Sequence, residues 1–420
     1  MKFIRVTLPD LSPLEKFVQS AGNSLETFRY FAKRPFSVIS NHHCTWMLEA
    51  ENAPVAYGHL DREDGVTWLG IAVTEQARGK GYGRKMMQRL MDSAAALGLR
   101  QVRLSVDNSN EPAIALYRDF GFELKEKRET FSFYEWNSHP ERSAVMSSLA
   151  FMGESAEEMI DRCVSEKFAL EFSSGMPFRA DMENVFFEAP LRRFAHNYFP
   201  APQEPFVLNL ASGNETIRRK SIDHCVNGIR LSYAAGAPFF SAHAGFCIDP
   251  QPSELGQQLS RVRSFDRPKH WGIFLASVKE VLSATADLPT GFLLENNVLA
   301  KMNVYEDGAN PLLCVEAEEM LRFVETIADP RAGILLDTAH LKVSANTLGF
   351  DVVKAAQQVL PVTRCVHHSD NEGLYDNNQP FGEAYWFRPL MKEAAFVVHV
   401  LEVRKQSAEA LTQMEKLLFS

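Results

Sequence analysis

Six short apolar runs beyond residue 150 close on side chains that can bind a metal ion. They end at His196, His243, Glu295, Asp337 (with His340 three residues on), His367 and Glu402. Histidine and carboxylates are disfavoured in buried strands unless they are paired or ligate a cation, so a succession of such endings points to a shared site. The first half holds a different signal. There the apolar run Val66–Val73 feeds Thr74-Glu-Gln-Ala-Arg-Gly-Lys-Gly-Tyr-Gly83, and an amphipathic stretch starts at Arg84. A glycine-rich turn opening a helix aims backbone N–H groups into one concavity at the positive end of the helix dipole, which suits a pyrophosphate. Gly79, Gly81 and Gly83 allow close backbone approach, and Arg78, Lys80 and Arg84 add positive charge.

These residues need elements to position them. The polar-ended runs, of which FALEFSSG is the first, alternate with helical stretches near 215–235, 271–285, 316–328 and 351–358. Strands alternating with helices imply a parallel sheet under covering helices, and about 270 residues suits a closed (β/α)8 barrel whose catalytic groups sit at the C-terminal strand ends. Ahead of it, helices are expected near 24–34, 80–98 and 110–119, with strands near 44–50, 54–60, 66–73, 101–106 and 122–135. The expected organisation is an α+β domain over 1–137, a polar linker over 138–150 and an α/β barrel over 151–420.

Gln76-Ala-Arg-Gly79-Lys-Gly81 resembles the Q/RxxGxG/A signature of GNAT-type N-acetyltransferases, and Asn110-Glu-Pro-Ala113-Ile-Ala-Leu-Tyr117-Arg-Asp-Phe-Gly121-Phe122 resembles a second element of that family. The resemblance implies an acetyl-CoA-dependent N-acyltransferase. It sets Val73, Gln76, Arg78, Gly79, Lys80, Gly81, Tyr82 and Gly83 around the coenzyme, Asn110 beside its pantetheine arm, and Tyr117 as proton donor to the departing thiolate. A core aromatic ahead of a Gly-Phe turn is the plainer reading of Tyr117. The acceptor side is read from Thr27-Phe-Arg-Tyr-Phe-Ala-Lys-Arg34 and Tyr57-Gly-His-Leu-Asp61. The first of these runs resembles acyltransferases found among surface-polysaccharide genes, whose acceptors are amino sugars. No general base is legible.

The strand endings resemble the xylose-isomerase-like barrel superfamily, which holds divalent-metal sugar isomerases and epimerases as well as endonuclease IV-like proteins. The resemblance implies Glu295, Asp337, His367 and Glu402 as ligands of manganese, magnesium or zinc, with Glu295 and Glu402 also exchanging protons. It implies His196 and His243 as further metal ligands and His340 as a substrate contact or additional ligand. Asn378 stands where three-metal members carry His, which argues against a full three-metal cluster, and His368 is expected to face a helix.

The net charge is −9, with +1 over residues 1–136 and −10 beyond them. An acidic barrel lacks the basic footprint of duplex nucleic-acid binders, so small-molecule substrates are expected. No run approaches the roughly 20 apolar residues of a membrane span. Six scattered cysteines without a CxxC pair fit reduced thiols and a cytoplasmic setting. The combined expectation is a bifunctional enzyme, an amino-sugar N-acetyltransferase joined to a metal-dependent sugar isomerase or epimerase. An endonuclease IV-like phosphodiesterase and a non-catalytic barrel are the alternatives, and assembly into a homo-oligomer is left open.

Overall fold

Alternating strands in the first third of the chain and short buried strands in the rest fold into two separate units in the computed structural model, Met1–His139 and Pro140–Ser420. The structure describes residues 1–32, 34–262 and 264–420.

The first unit has seven strands: β1 (Lys2–Arg5), β2 (His42–Ala50), β3 (Ala53–Glu63), β4 (Val66–Val73), β5 (Gln101–Asp107), β6 (Glu123–Lys127) and β7 (Phe131–Asn137), in the order β1-β2-β3-β4-β5-β7-β6. Every pairing is antiparallel except that of β4 with β5, which meet in parallel only at Trp68↔Arg103. Beyond that point the two strands part. On one sheet face the helix Tyr82–Ala96 buries Met86, Met87, Leu90 and Ala94, a stripe at helical spacing. The other face carries Tyr57 and is covered by the helix Ser12–Ser20, through Leu14 and Phe17, and by Phe28, Phe31 and Phe36.

The helix expected over 24–34 is only a turn, Ser24–Thr27, followed by a break at Phe28 (φ −94°, ψ 88°) and a 3-10 turn at Tyr30–Ala32. The break lets Phe28, Tyr30 and Phe31 all stack against Tyr57 or His59, which a single helical stripe would not allow. Lys33 lies outside the described residues. The strand expected over 122–135 is the antiparallel pair β6 and β7.

The second unit is a closed barrel of eight parallel strands: β8 (Val145–Ser147), β9 (Ala169–Phe172), β10 (Arg193–Ala195), β11 (Phe239–His243), β12 (Gly291–Glu295), β13 (Ala332–Asp337), β14 (Thr363–His368) and β15 (Val398–Leu401). β15 pairs with β8, and a bridge between His196 and Ser241 joins β10 to β11. β8 corrects the expected linker over 138–150: Val-Met-Ser is too short to signal a strand, yet it is buried and paired on both sides.

Period-two alternation sets the barrel's two layers. Val145, Phe194, Phe239, Leu293, Leu335, Cys365 and Val400 fill the interior. Met146, Leu170, Phe240, Leu294, Leu336 and Val366 pack outward under the helices. Beyond the interior layer, on the same face, stand the polar strand ends. The six cysteines are free and buried. No helix among the described residues is long and apolar enough to cross a membrane.

Candidate active sites

At the C-terminal rim of the barrel, ligand atoms of Glu295, Asp337, His367 and Glu402 all lie within 4.8 Å of one another. Each stands two positions past an inward apolar residue (Leu293, Leu335, Cys365 and Val400), so strand alternation aims all four at one point. His367 Nδ1 is 3.1 Å from Glu402 Oε2 and 3.6 Å from Glu295 Oε1, while its Nε2 is 3.1 Å from Glu171 Oε2. His196 Nε2 and His243 Nδ1 lie 3.2 and 3.3 Å from Glu295 Oε2. His340 completes the cluster, with Nδ1 3.8 Å from both Glu295 Oε1 and Asp337 Oδ1 and Nε2 3.2 Å from Asp376 Oδ2.

Asp337 serves the fold and faces the site at once. Its Oδ1 accepts from the His340 N–H at 2.6 Å and caps the helix Thr338–Leu348, whereas its buried Oδ2 has no hydrogen-bond partner among the described residues. Glu295 Oε2 is likewise buried and off the hydrogen-bond directions of the two imidazoles beside it. A buried oxygen without a donor costs about 1–3 kcal/mol, and a cation at this point would satisfy both oxygens. Three carboxylates with one imidazole form a donor set that suits a hard divalent ion.

The charge states follow from crowding carboxylates and imidazoles into one buried place. Burial pushes the Asp337 carboxyl well above its ordinary range, with His340 opposing and Glu402 adding to the rise. Burial also disfavours a charged His367, but Glu171 and Glu402 outweigh it and hold the imidazole pKa well above its usual value. Burial would raise Glu402, yet the neighbouring His367 holds it below the usual carboxylate value. His243 is pushed down to about 4 by burial, against the pull of Glu295. His368 faces outward, as expected, bonded to His399 and Tyr385.

In the first unit the glycine turn precedes the helix Tyr82–Ala96. Gly79 (φ 74°) and Gly81 (φ 79°) are left-handed, and a Cβ on either would meet nothing within 4 Å. Gly81 is the N-cap and no side chain caps that helix end, so an open concavity lies at the helix N-terminus. That arrangement fits the pyrophosphate of a coenzyme. Gln76, Lys80 and the glycines 79 and 81 are exposed, Tyr82 and Gly83 half-buried. Arg78 donates to Ser24 Oγ at 2.8 Å, and the same hydroxyl donates to the Val73 carbonyl at 2.6 Å, so both residues are tied into the turn. Where β4 and β5 part, a cavity of about 510 Å3 opens, with Gly70, Asp107, Asn110 and Tyr117 on its wall. Asn110 caps the helix Glu111–Asp119, its Oδ1 accepting from Ala113 N at 3.4 Å. Burial raises the Tyr117 hydroxyl well above its usual value, which keeps its proton in place.

Residues 176–397, more than half of the chain, match the family described as xylose isomerase-like TIM barrel. The chain belongs to that family. Residues 10–122 match the acetyltransferase (GNAT) family, so a GNAT domain is joined in front of the TIM barrel. A curated relative, spermine/spermidine N(1)-acetyltransferase of Bacillus subtilis (strain 168), is 37% identical over 66 residues, 15% of this chain and 43% of that protein. The chain thus spans less than half the length of that relative. A D-tagatose 3-epimerase-like protein shares the barrel fold with a TM-score of 0.50 at 16% identity, over 66% of this chain and 95% of its own. D-psicose 3-epimerase with D-tagatose from Clostridium cellulolyticum H10 gives a TM-score of 0.45 at 16% identity, over 66% and 94%.

The TIM barrel brings together every residue read from its strand ends, and adds two. Glu171, 1% exposed, ends the run Phe168-Ala-Leu-Glu and stands two positions past inward Ala169, so it carries the same signal as the others. Its carboxylate on His367 Nε2 fixes that ring, leaving Nδ1 toward Glu295 and Glu402. Asp376 lies in a loop between β14 and β15, where no periodicity marks it. Above the acids the barrel mouth is a cavity of about 570 Å3 with an apolar wall that includes Phe178, Phe206, Leu255 and Met302 and a polar floor at His243, His340 and Asp376.

Proposed function

We propose that the GNAT domain transfers an acetyl group from acetyl-coenzyme A to an amine and that the TIM barrel isomerises or epimerises a carbohydrate at a divalent metal. The observation that carries the second half is the four-residue cluster at Glu295, Asp337, His367 and Glu402 with its unpartnered carboxylate oxygens. An amino sugar is the substrate class that serves both domains. The aromatic and aliphatic wall of the barrel mouth favours a sugar bearing an apolar substituent such as an acyl group. Acetyl-coenzyme A as donor and six free thiols support a cytoplasmic setting.

In the barrel, Glu295, Asp337, His367 and Glu402 would hold manganese, magnesium or zinc, and such an ion polarises a carbonyl and its neighbouring hydroxyl as a Lewis acid. Glu295 and Glu402 take and return a proton at the carbon beside that carbonyl. His196 and His243 stand beside Glu295 Oε2, and His340, steadied by Asp376, donates to a substrate hydroxyl. In the GNAT domain the N–H groups of Gly79 to Gly83 receive the pyrophosphate and Asn110 borders the pantetheine arm. Tyr117 keeps its proton until the thiolate departs.

The test has one arm per domain. Acetyl-coenzyme A with glucosamine or spermidine is expected to release thiol only when the amine is present, and amine-independent release overturns the transferase reading. Manganese-loaded protein with ketohexoses in heavy water is expected to incorporate deuterium at the carbon beside the carbonyl. Absence of exchange with every ketose and every divalent metal overturns the isomerase reading.

A further inference from the structure

We propose that Asp61 is the group in the GNAT domain that receives the acceptor's ammonium and takes its proton, with Tyr30 and His42 as positioning residues; this rests on the acetyltransferase reading. Along β3, Tyr57, His59 and Asp61 face one side, with cross-strand partners Ala72, Gly70 and Trp68 on β4. A Cβ at Gly70 would fall 2.2 Å from His59 Cε1, so glycine is what lets the imidazole lie against β4 beside the cavity. Asp61, His59 and Tyr30 line that same cavity, as do Asn110 and Tyr117.

Asp61 is 3% exposed, yet its charge has no cationic partner among the described residues. The nearby arginines are engaged elsewhere: Arg34 pairs with Glu63 at 3.2 Å and Arg29 with Asp107 at 2.9 Å. A buried carboxylate of this kind calls for a cation, and an ammonium entering the cavity supplies one.

The hydrogen bonds behind Asp61 have a fixed direction. A carboxylate only accepts, so Tyr30 Oη donates to Asp61 Oδ2 at 2.5 Å. The phenol oxygen then accepts from His42 Nε2 at 2.7 Å, and His42 Nδ1 accepts from Thr45 Oγ1 at 2.7 Å. All three donors thus point toward Asp61 and, among the described residues, leave its Oδ1 without a hydrogen bond, 3.9 Å from His42 Nε2. Burial holds His42 down to about 4, against the pull of Asp61, so it stays neutral and offers no counter-charge. His42, His59 and Asp61 are close enough to hold a metal ion, but the Tyr30 hydroxyl occupies the bonding directions of two of them. The other charged or titratable groups facing Asp61 are Arg34, His43 on β2, and Tyr57, His59 and Glu63 on its own strand.

The step balances as follows. The ammonium gives one proton to Asp61, and the freed amine attacks the thioester carbon, so a C–N bond forms as the C–S bond breaks. Sulfur takes a proton from Tyr117, which recovers the second proton leaving nitrogen, and the third stays on the amide. The proton on Asp61 passes to solvent.

Full-length wild type, Asp61→Asn and Tyr30→Phe are compared in kcat and KM for glucosamine and spermidine across pH, with acetyl-coenzyme A affinity measured by calorimetry. Asp61→Asn should lower kcat/KM about 100-fold or more at neutral pH, with coenzyme affinity unchanged. Tyr30→Phe should lower kcat about tenfold, again with coenzyme affinity intact. Wild-type kcat/KM in Asp61→Asn overturns the proposal, as does parallel loss of coenzyme affinity in both variants, which would mark a structural role. Loss of one bound metal equivalent in Asp61→Asn overturns it in favour of a cation site. Inactivity of wild type toward both amines removes the transferase reading itself, and this proposal falls with it.

Discussion

In the GNAT domain the groups proposed to hold an anion are backbone N–H groups in an exposed glycine turn, whereas in the barrel those proposed to hold a cation are side chains gathered in the interior, with Glu295, Asp337 and His367 at most 1% exposed. The turn buries no charge, so it can lose its ligand without cost to the fold. The rim concentrates three carboxylates, two of which have oxygens with no partner, so its ligand and its stability are linked. One site should therefore fail in binding alone, and the other in binding and stability together.

The largest expected effect is at Gly81. Valine there meets a left-handed backbone and fills the open space above the turn, so Gly81→Val should weaken acetyl-coenzyme A binding by about 100-fold or more, close to 3 kcal/mol. Calorimetry checks this, and the metal content of the barrel should not change. Next comes Glu171→Gln, which removes the carboxylate from His367 Nε2 and should cost about 10–100-fold in metal affinity by competition titration. Unchanged affinity would show that Glu171 is only a buried strand residue.

The smallest effect belongs to an ordinary ion pair that lines neither site. Glu135 bridges β7 to β5 through Arg103 at 2.7 Å, and Asn137, then Arg103 and Lys125, hold its carboxyl below the usual value. A depressed carboxyl stabilises the fold above its unfolded pKa, and that contribution is lost as pH falls through the folded value. Glu135→Gln should thus lower stability by roughly 0.5–1 kcal/mol at pH 7 and by less near pH 3, read by amide exchange in β5 and β7.

The barrel rim was legible because strand alternation and burial act on neighbouring residues: an apolar run that ends in an acid or histidine states where the interior face stops. Glu171 carried the same alternation, but its run FALEFSSG passes on through Phe172 and closes on serines, so no ligand-type residue marks its end. β8 left almost no trace, since a three-residue strand has no period to detect and is held by pairing with β9 and β15. The glycine turn was legible as a motif whose spacing only a tight turn into a helix requires. The relay at Asp61 was not, because Tyr30, His42 and Asp61 are brought together by β2–β3 register and by a break at Phe28 that helical spacing had concealed.

The central claim is that the four strand ends share a divalent ion, and elemental analysis after gel filtration tests it most directly. Wild type should carry one equivalent and Asp337→Ala close to none, with acetyl-coenzyme A binding retained. Because a ligand that binds only the native state stabilises it by about 2.7 kcal/mol at 100 times its dissociation constant, chelator should lower the barrel's melting temperature in wild type and scarcely in the variant. Equal metal content in the two proteins would contradict the account and return Asp337 to a helix cap.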